Sequence, residues 1–274
     1  MVYRNSHMKE KTKRRPAWGR IIPVLIVLII LGVVLGRVIH IIQAYRNDVE
    51  VESPYPDKYP VRGVDVSRYQ GNIDWEVLVS QDVTFAFIKA TEGSVHQDPL
   101  FEVNWENAQK TDVYISAYHF FSYESSGETQ AQNYIETVGR MEGMLPPVVD
   151  VELYSDYYEH PLPKSEARAI LDPLLKKLED YYGVKPIIYT TLRAYYYYIL
   201  GGGYGDYPLW VRDTHVEPFI PWRFWQYSDH DMLEGYDGKQ ADQIENCIDL
   251  NVYHGDLDAF LKEFNLPARE EETQ

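Results

Sequence analysis

Eight short apolar runs, the first five separated by amphipathic stretches, constrain this chain more than any other feature. The runs are VRGVDVS (61–67), TFAFIKAT (84–91), VYISAYHFF (113–121), PPVVDVE (146–152), KPIIYTT (185–191), YPLWVRD (207–213), RFWQYS (223–228) and NCIDLNVY (246–253). Each is rich in β-branched and aromatic residues and is of strand length. The stretches between the first five read as helices. SSGETQAQNYIETVGRM begins with cap-type residues, and SEARAILDPLLKKLEDYYG ends on Gly183. After the sixth run the pattern changes: THVEPFIPW is too short and too proline-rich for a helix, and DHDMLEGYDGKQADQIE reads as turns or a hairpin. Alternating strands and helices imply parallel pairing. The spacing predicts an α/β fold, a closed barrel whose last part has lost its helices, with an open doubly wound sheet as the competitor. No glycine-rich phosphate loop follows the first strand, which weakens the open sheet.

Ahead of the first strand lies IIPVLIVLIILGVVLGRVIHII, residues 21–42, with no charge from Ile21 to Gly36. It is about long enough to cross a bilayer if Arg37 snorkels to the interface. Arg4, Lys9, Lys11, Lys13, Arg14, Arg15 and Arg20 precede it against one acid, Glu10. That asymmetry predicts a cytoplasmic N-terminus and an extracytoplasmic remainder. LGRVIHIIQAYRND offers a poor cleavage site, so the expectation is an uncleaved signal-anchor. The domain plan expected is a basic tail at 1–20, a span at 21–43, a proline-bearing linker at 44–60, a catalytic domain at 61–266 and an acidic tail at 267–274.

The formal net charge of −16 argues against a nucleic-acid partner, since phosphate binding needs Lys/Arg patches. The one cysteine, Cys247, excludes an internal disulfide and a cysteine-based metal site. No cofactor or metal is expected, and the catalytic domain is expected to be monomeric.

In a barrel, reactive groups gather where strands end at their C-termini. The polar residues there are Asp65, Lys89 and Glu92, Tyr118 and His119, Asp150 and Glu152, Tyr189, Trp210 and Asp213, Gln226 and Tyr227, and Asp249 and Asn251. Acids converging with aromatic rings suit glycoside cleavage, in which one carboxyl protonates the leaving oxygen and another balances charge at the sugar. An isolated Asp at a strand end is more often a turn or cap residue, and a lone His more often structural. The Asp150/Glu152 pair resists that reading. Two same-face carboxylates on an apolar strand repel each other and lose solvation, a cost that function explains and packing does not.

Taken in order, GVDVSRYQGNIDW, FAFIKATEG, ISAYHFF, VVDVE, PIIYTT, LWVRD, FWQYS and IDLNVY resemble the glycoside hydrolase family 25 lysozymes, the Chalaropsis-type N-acetylmuramidases, over about residues 61–264. The resemblance implies a modified TIM-like barrel of five β/α units followed by three β-strands. It implies cleavage of the β-1,4 bond between N-acetylmuramic acid and N-acetylglucosamine in peptidoglycan. It places the acidic cluster at Asp65, Asp150, Glu152 and Asp249. Glu152 is then the general acid and Asp150 the stabiliser of the substrate acetamido group. Tyr118, His119, Tyr189, Trp210, Gln226, Tyr227, Glu92 and Asn251 are the expected substrate contacts. Arg212 stands where that family usually has a small residue. A chitin-like substrate, or a glycan-binding scaffold without turnover, remain the alternatives.

Overall fold

The computed structural model describes residues 18–240, 243–244 and 246–269. The chain divides into two units between Val49 and Glu50. In the first, Trp18–Asn47 form a single helix of 30 residues. Within its stretch Ile22–Asn47, an 18-residue window has a mean hydropathy of 2.9. At about 1.5 Å per residue this is long and apolar enough to cross a hydrocarbon layer of about 30 Å. Its apolar side chains point outward all round, from Ile22 to Ile42, and no face is polar enough to mark a water side.

The second unit is a closed barrel. Its strands are β1 (Arg62–Val66), β2 (Phe85–Glu92), β3 (Tyr114–Phe120), β4 (Val148–Val151), β5 (Ile187–Thr191), β6 (Leu209–Arg212), β7 (Phe224–Asp231) and β8 (Ile248–Tyr253). Neighbours from β1 to β7 pair in parallel. β8 closes the ring antiparallel to both β7 and β1. Helices Trp75–Val79, Phe101–Ala108, Gly127–Val138 and Lys164–Tyr182 fill the first four connections. The Ser126 hydroxyl caps the third, accepting from the Thr129 amide, and Gly183 ends the fourth at φ 75°. The fifth is a short helical turn, Leu192–Ala194, that widens into a π-turn at Tyr195–Ile199. Among the described residues no helix follows β6 or β7, and the second of these connections carries a small hairpin pairing Lys239–Gln240 with Gln243–Ile244. This is the α/β barrel expected, with its helices lost where the sequence loses them.

Alternation along each strand splits the core in two. Val64, Val66, Ala86, Ile88, Val149 and Val211 face outward under the helices. Phe85, Phe87, Val148, Ile187, Tyr189, Trp210, Phe224 and Tyr253 face inward and fill the barrel. Gly63 also faces inward, and a Cβ there would sit 2.3 Å from the Phe85 ring, so the floor aromatic needs a glycine beside it. The helix Leu257–Glu263 sends Phe260 into the floor, 5.9 Å from Phe85 and 5.6 Å from Tyr114 between ring centroids. With the floor packed by aromatics, open space remains at the opposite end, where the parallel strands have their C-termini.

The segment expected as a linker behaves in two ways. Residues 44–47 continue the helix, and residues 50–60 lie along the barrel. The Val51 amide donates to Thr214 O at 2.9 Å, Ser53 Oγ donates to the Tyr227 hydroxyl at 3.2 Å, and Tyr59 donates to Glu217 at 2.6 Å. Tyr59 stacks edge-on against Trp222 and Trp225 at 5.1 and 6.4 Å. The strap thus covers the outer face left bare where β6 and β7 have no connecting helix, a role its prolines and polarity do not announce. The expected acidic tail begins with Pro267 O and Arg269 tied to Tyr114 and Thr111. Its remainder, like most of the basic N-terminal tail, lies outside the described residues.

Candidate active site

The mouth encloses a cavity of about 290 Å³. Five carboxyl groups line it: Asp65 from β1, Asp150 and Glu152 from the end of β4, Asp229 from β7 and Asp249 from β8. One amine, Lys89, joins them, with the rings of Tyr69, Tyr118, Phe120, Tyr189 and Trp210 as walls. Four of the acids stand where they do by strand parity, and Asp229 is turned to the cavity by the register shift at Tyr227. Val149 and Val151 point out to the helices, so Asp150 and Glu152 on either side must point in.

Asp65 is the best-supported anion. Its Oδ2 accepts from Gln226 Nε2 and from Asn251 Nδ2, both at 2.8 Å. Gln226 is itself fixed by the Tyr189 hydroxyl donating to its Oε1 at 2.9 Å, and Asn251 by the Trp210 indole donating to its Oδ1 at 2.7 Å. Gln226 Nε2 also reaches Asp249 Oδ2 at 3.1 Å. Burial pushes the Asp249 proton affinity well above the usual range, and the charge of Asp65 and the hydrogen bond to it push the same way. Burial raises Asp65 too, but its N–H donors pull it back. Of the two, Asp249 is pushed to bind its proton the more tightly.

Asp150 and Glu152 form the second pair. Burial is the main cause that raises Asp150 well above the carboxylate range, followed by the Glu152 charge, while Lys89 opposes. Glu152 is raised by burial, with Arg212 and then Lys89 pulling down. Asp150 Oδ1 is buried and has no hydrogen-bond partner among the described residues. A carboxyl oxygen buried without a donor disfavours the charged form, which adds to the burial that raises Asp150. Lys89 is held at the rim by Glu92 at 2.9 Å and lies 4.8 Å from the centre of the Phe120 ring.

Of the residues expected at the site, Asp65, Asp150, Glu152, Asp249, Tyr118, Tyr189, Trp210 and Gln226 line the cavity. Asn251 is one layer below, fully buried, and acts on Asp65. Glu92 stands behind Lys89. His119 and Tyr227 are not cavity residues. His119 faces outward beneath the helix Gly127–Val138, with Nδ1 2.7 Å from Thr91 Oγ1 and Nε2 3.0 Å from Gln130 Oε1. Burial lowers its pKa to about 4, so it is a neutral structural imidazole. Tyr227 faces the strap. Asp213 accepts from the amides of His215 and Val216, as a turn residue does. Sequence reasoning missed Ser67, Tyr69, Gln70, Phe120, Asp229 and Cys247 in the lining, with Val66 beside them. Ser67 and Gln70 carry a readable signal, since they form a capping box just past β1.

Comparison with known proteins agrees with this geometry. Residues 64–236 match the glycosyl hydrolases family 25. The YegX protein of Escherichia coli strain K12 is 36% identical over 218 residues, 75% of this chain and 75% of its own. Lysozyme M1 of Streptomyces globisporus is 30% identical over 214 residues, 73% of this chain and 69% of its own. The solved structure of a family 25 glycosyl hydrolase from Bacillus anthracis superposes with a TM-score of 0.69 at 40% identity, covering 78% of this chain and 96% of that one. A barrel of this topology, an acid-lined cavity at its mouth and relatives over three quarters of its length make this chain a member of glycoside hydrolase family 25.

Proposed function

We propose that the chain is a peptidoglycan hydrolase of the lysozyme type, cleaving the β-1,4 bond between N-acetylmuramic acid and N-acetylglucosamine. The observation that carries this is the convergence of Asp65, Asp150, Glu152 and Asp249 in one cavity with too few cations to ionise them all. Glu152, at the rim, is the general acid that protonates the glycosidic oxygen. Asp150, whose carboxyl lines the cavity, accepts a hydrogen bond from the N–H of a 2-acetamido group. That bond favours the ionised form of Asp150 and leaves the shared proton on Glu152, where it is delivered. The Asp150 charge then stabilises the positive charge growing on the sugar and its acetamido group. Asp65 and Asp249 hold the floor of the sugar site, and Tyr118, Tyr189 and Trp210 supply ring faces.

The test is the sugar left at the new reducing end. Purified bacterial peptidoglycan is digested with the full chain in detergent, reduced with borohydride and analysed by mass spectrometry. Muramitol at the new ends supports the reading. Glucosaminitol, or cleavage of a chitin-like polymer in preference, would replace the substrate. Binding without new ends would make the chain a glycan-binding scaffold.

We further propose that the helix Trp18–Asn47 anchors the enzyme in the cell membrane, with the barrel extracytoplasmic, on the basis of its all-round apolar surface and the basic residues before it. Protease added to intact wall-stripped cells should digest the barrel. Protection until lysis would reverse the orientation, and a mature N-terminus near residue 45 would make the helix a cleaved signal.

A further inference from the structure

The cavity has a second charged feature that the mechanism above does not use. Arg212 and Asp229 form an ion pair at its edge. Asp229 lines the cavity, and Arg212 follows Trp210 on the same inward face of β6. The register locates Arg212 relative to the acid. Val151 of β4 pairs with Thr190, and Thr191, the next residue of β5, pairs with Arg212. Glu152, the next residue after Val151, therefore falls in the same layer, on the other flank of Thr191. Asp229 is braced from the solvent side, where its Oδ1 is 2.9 Å from His230 Nδ1, and His230 Nε2 is 2.6 Å from Glu50 Oε2 of the strap.

We propose that Arg212 and Asp229 are a positioning pair for the acid Glu152: Asp229 holds the guanidinium in the layer of Glu152 while keeping it from pairing directly with that carboxyl. This rests on the assignment of Glu152 as the general acid. An arginine left free beside Glu152 would form a bidentate pair with it and strip the proton the reaction needs. An arginine held by Asp229 keeps part of its field, which stabilises the carboxylate that appears on Glu152 as the proton leaves. The groups that face the guanidinium are Asp229, Glu152 and Tyr189, with Asp65 and Asp249 acting at longer range. After burial, Arg212 is the largest influence on Glu152, and it pulls downward. Asp229 is held ionised by His230 and Arg212 despite its burial, so the restraint persists through the neutral range.

The pair makes a prediction of two opposite signs, which a merely structural role does not. The full chain in detergent is assayed for new reducing ends on purified peptidoglycan, and kcat/KM is followed as a function of pH. Arg212→Met removes the charge and keeps the length, so the alkaline limb should move up by on the order of one pH unit. Asp229→Asn frees the arginine and removes an anion, so the limb should move down by a similar amount. Circular dichroism checks folding, and if Arg212→Met does not fold, the downward shift in Asp229→Asn decides alone. Limbs that stay in place, or that both move in one direction, overturn the positioning role. A folded wild-type chain that releases no reducing ends overturns instead the hydrolase reading beneath it.

Discussion

Glu152→Gln should lower kcat on peptidoglycan by at least about 10²-fold, the low end for loss of general acid catalysis. That corresponds to about 2.7 kcal/mol on the barrier. The substitution keeps the side chain's shape and removes only the transferable proton. Folding should be unchanged by circular dichroism, and glycan fragments should still bind, because the walls of Tyr118, Tyr189 and Trp210 are untouched. The loss should fall on kcat far more than on KM, as for a group used in the transition state. A folded Glu152→Gln enzyme with near wild-type turnover would remove Glu152 as the acid.

Asp150→Asn should be comparably damaging, by about 10²- to 10³-fold, because it deletes the charge placed against the developing cation. It should also make the fold more stable. Asp150 binds its proton more tightly in the folded chain than in the unfolded one, since burial opposes its charge. Its contribution is therefore complete below the ordinary carboxylate pKa and is lost as pH rises toward the raised folded value. An amide has no proton to lose. The Tm of Asp150→Asn should exceed that of wild type near neutral pH and converge with it near pH ~4, each kcal/mol being worth about 2–4 °C in a domain of this size. Equal Tm values at both pH values would show that the crowded carboxyl costs the fold nothing.

Much of this was legible in the sequence, and the rest fails for identifiable reasons. The strands could be read because a parallel barrel covered on both faces needs near-continuous apolar runs. The four acids could be read because they interrupt those runs at one end. Placing His119 and Tyr227 in the cavity runs against the alternation of a strand. Tyr118 and Gln226 face inward, so the residues that follow them must face outward. The strap at 50–60 was hidden because its contacts pair with residues 150 or more positions away, Thr214, Glu217 and Tyr227 among them. No local pattern records such a contact. Asp229 was hidden for a similar reason: it belongs to a strand that runs on to Asp231, beyond the apolar stretch that announces it.

With Glu152 as the proposed general acid, the rate depends on the proton that it holds. The most direct test is kcat/KM on soluble peptidoglycan fragments followed with pH, for wild type and for the residual activity of Glu152→Gln. Wild type should lose rate on the alkaline side, with the limb above the ordinary carboxylate range because burial raises Glu152. In Glu152→Gln that limb should disappear. A limb of unchanged position in Glu152→Gln, or a wild-type rate that does not fall as carboxyls ionise, would contradict the account.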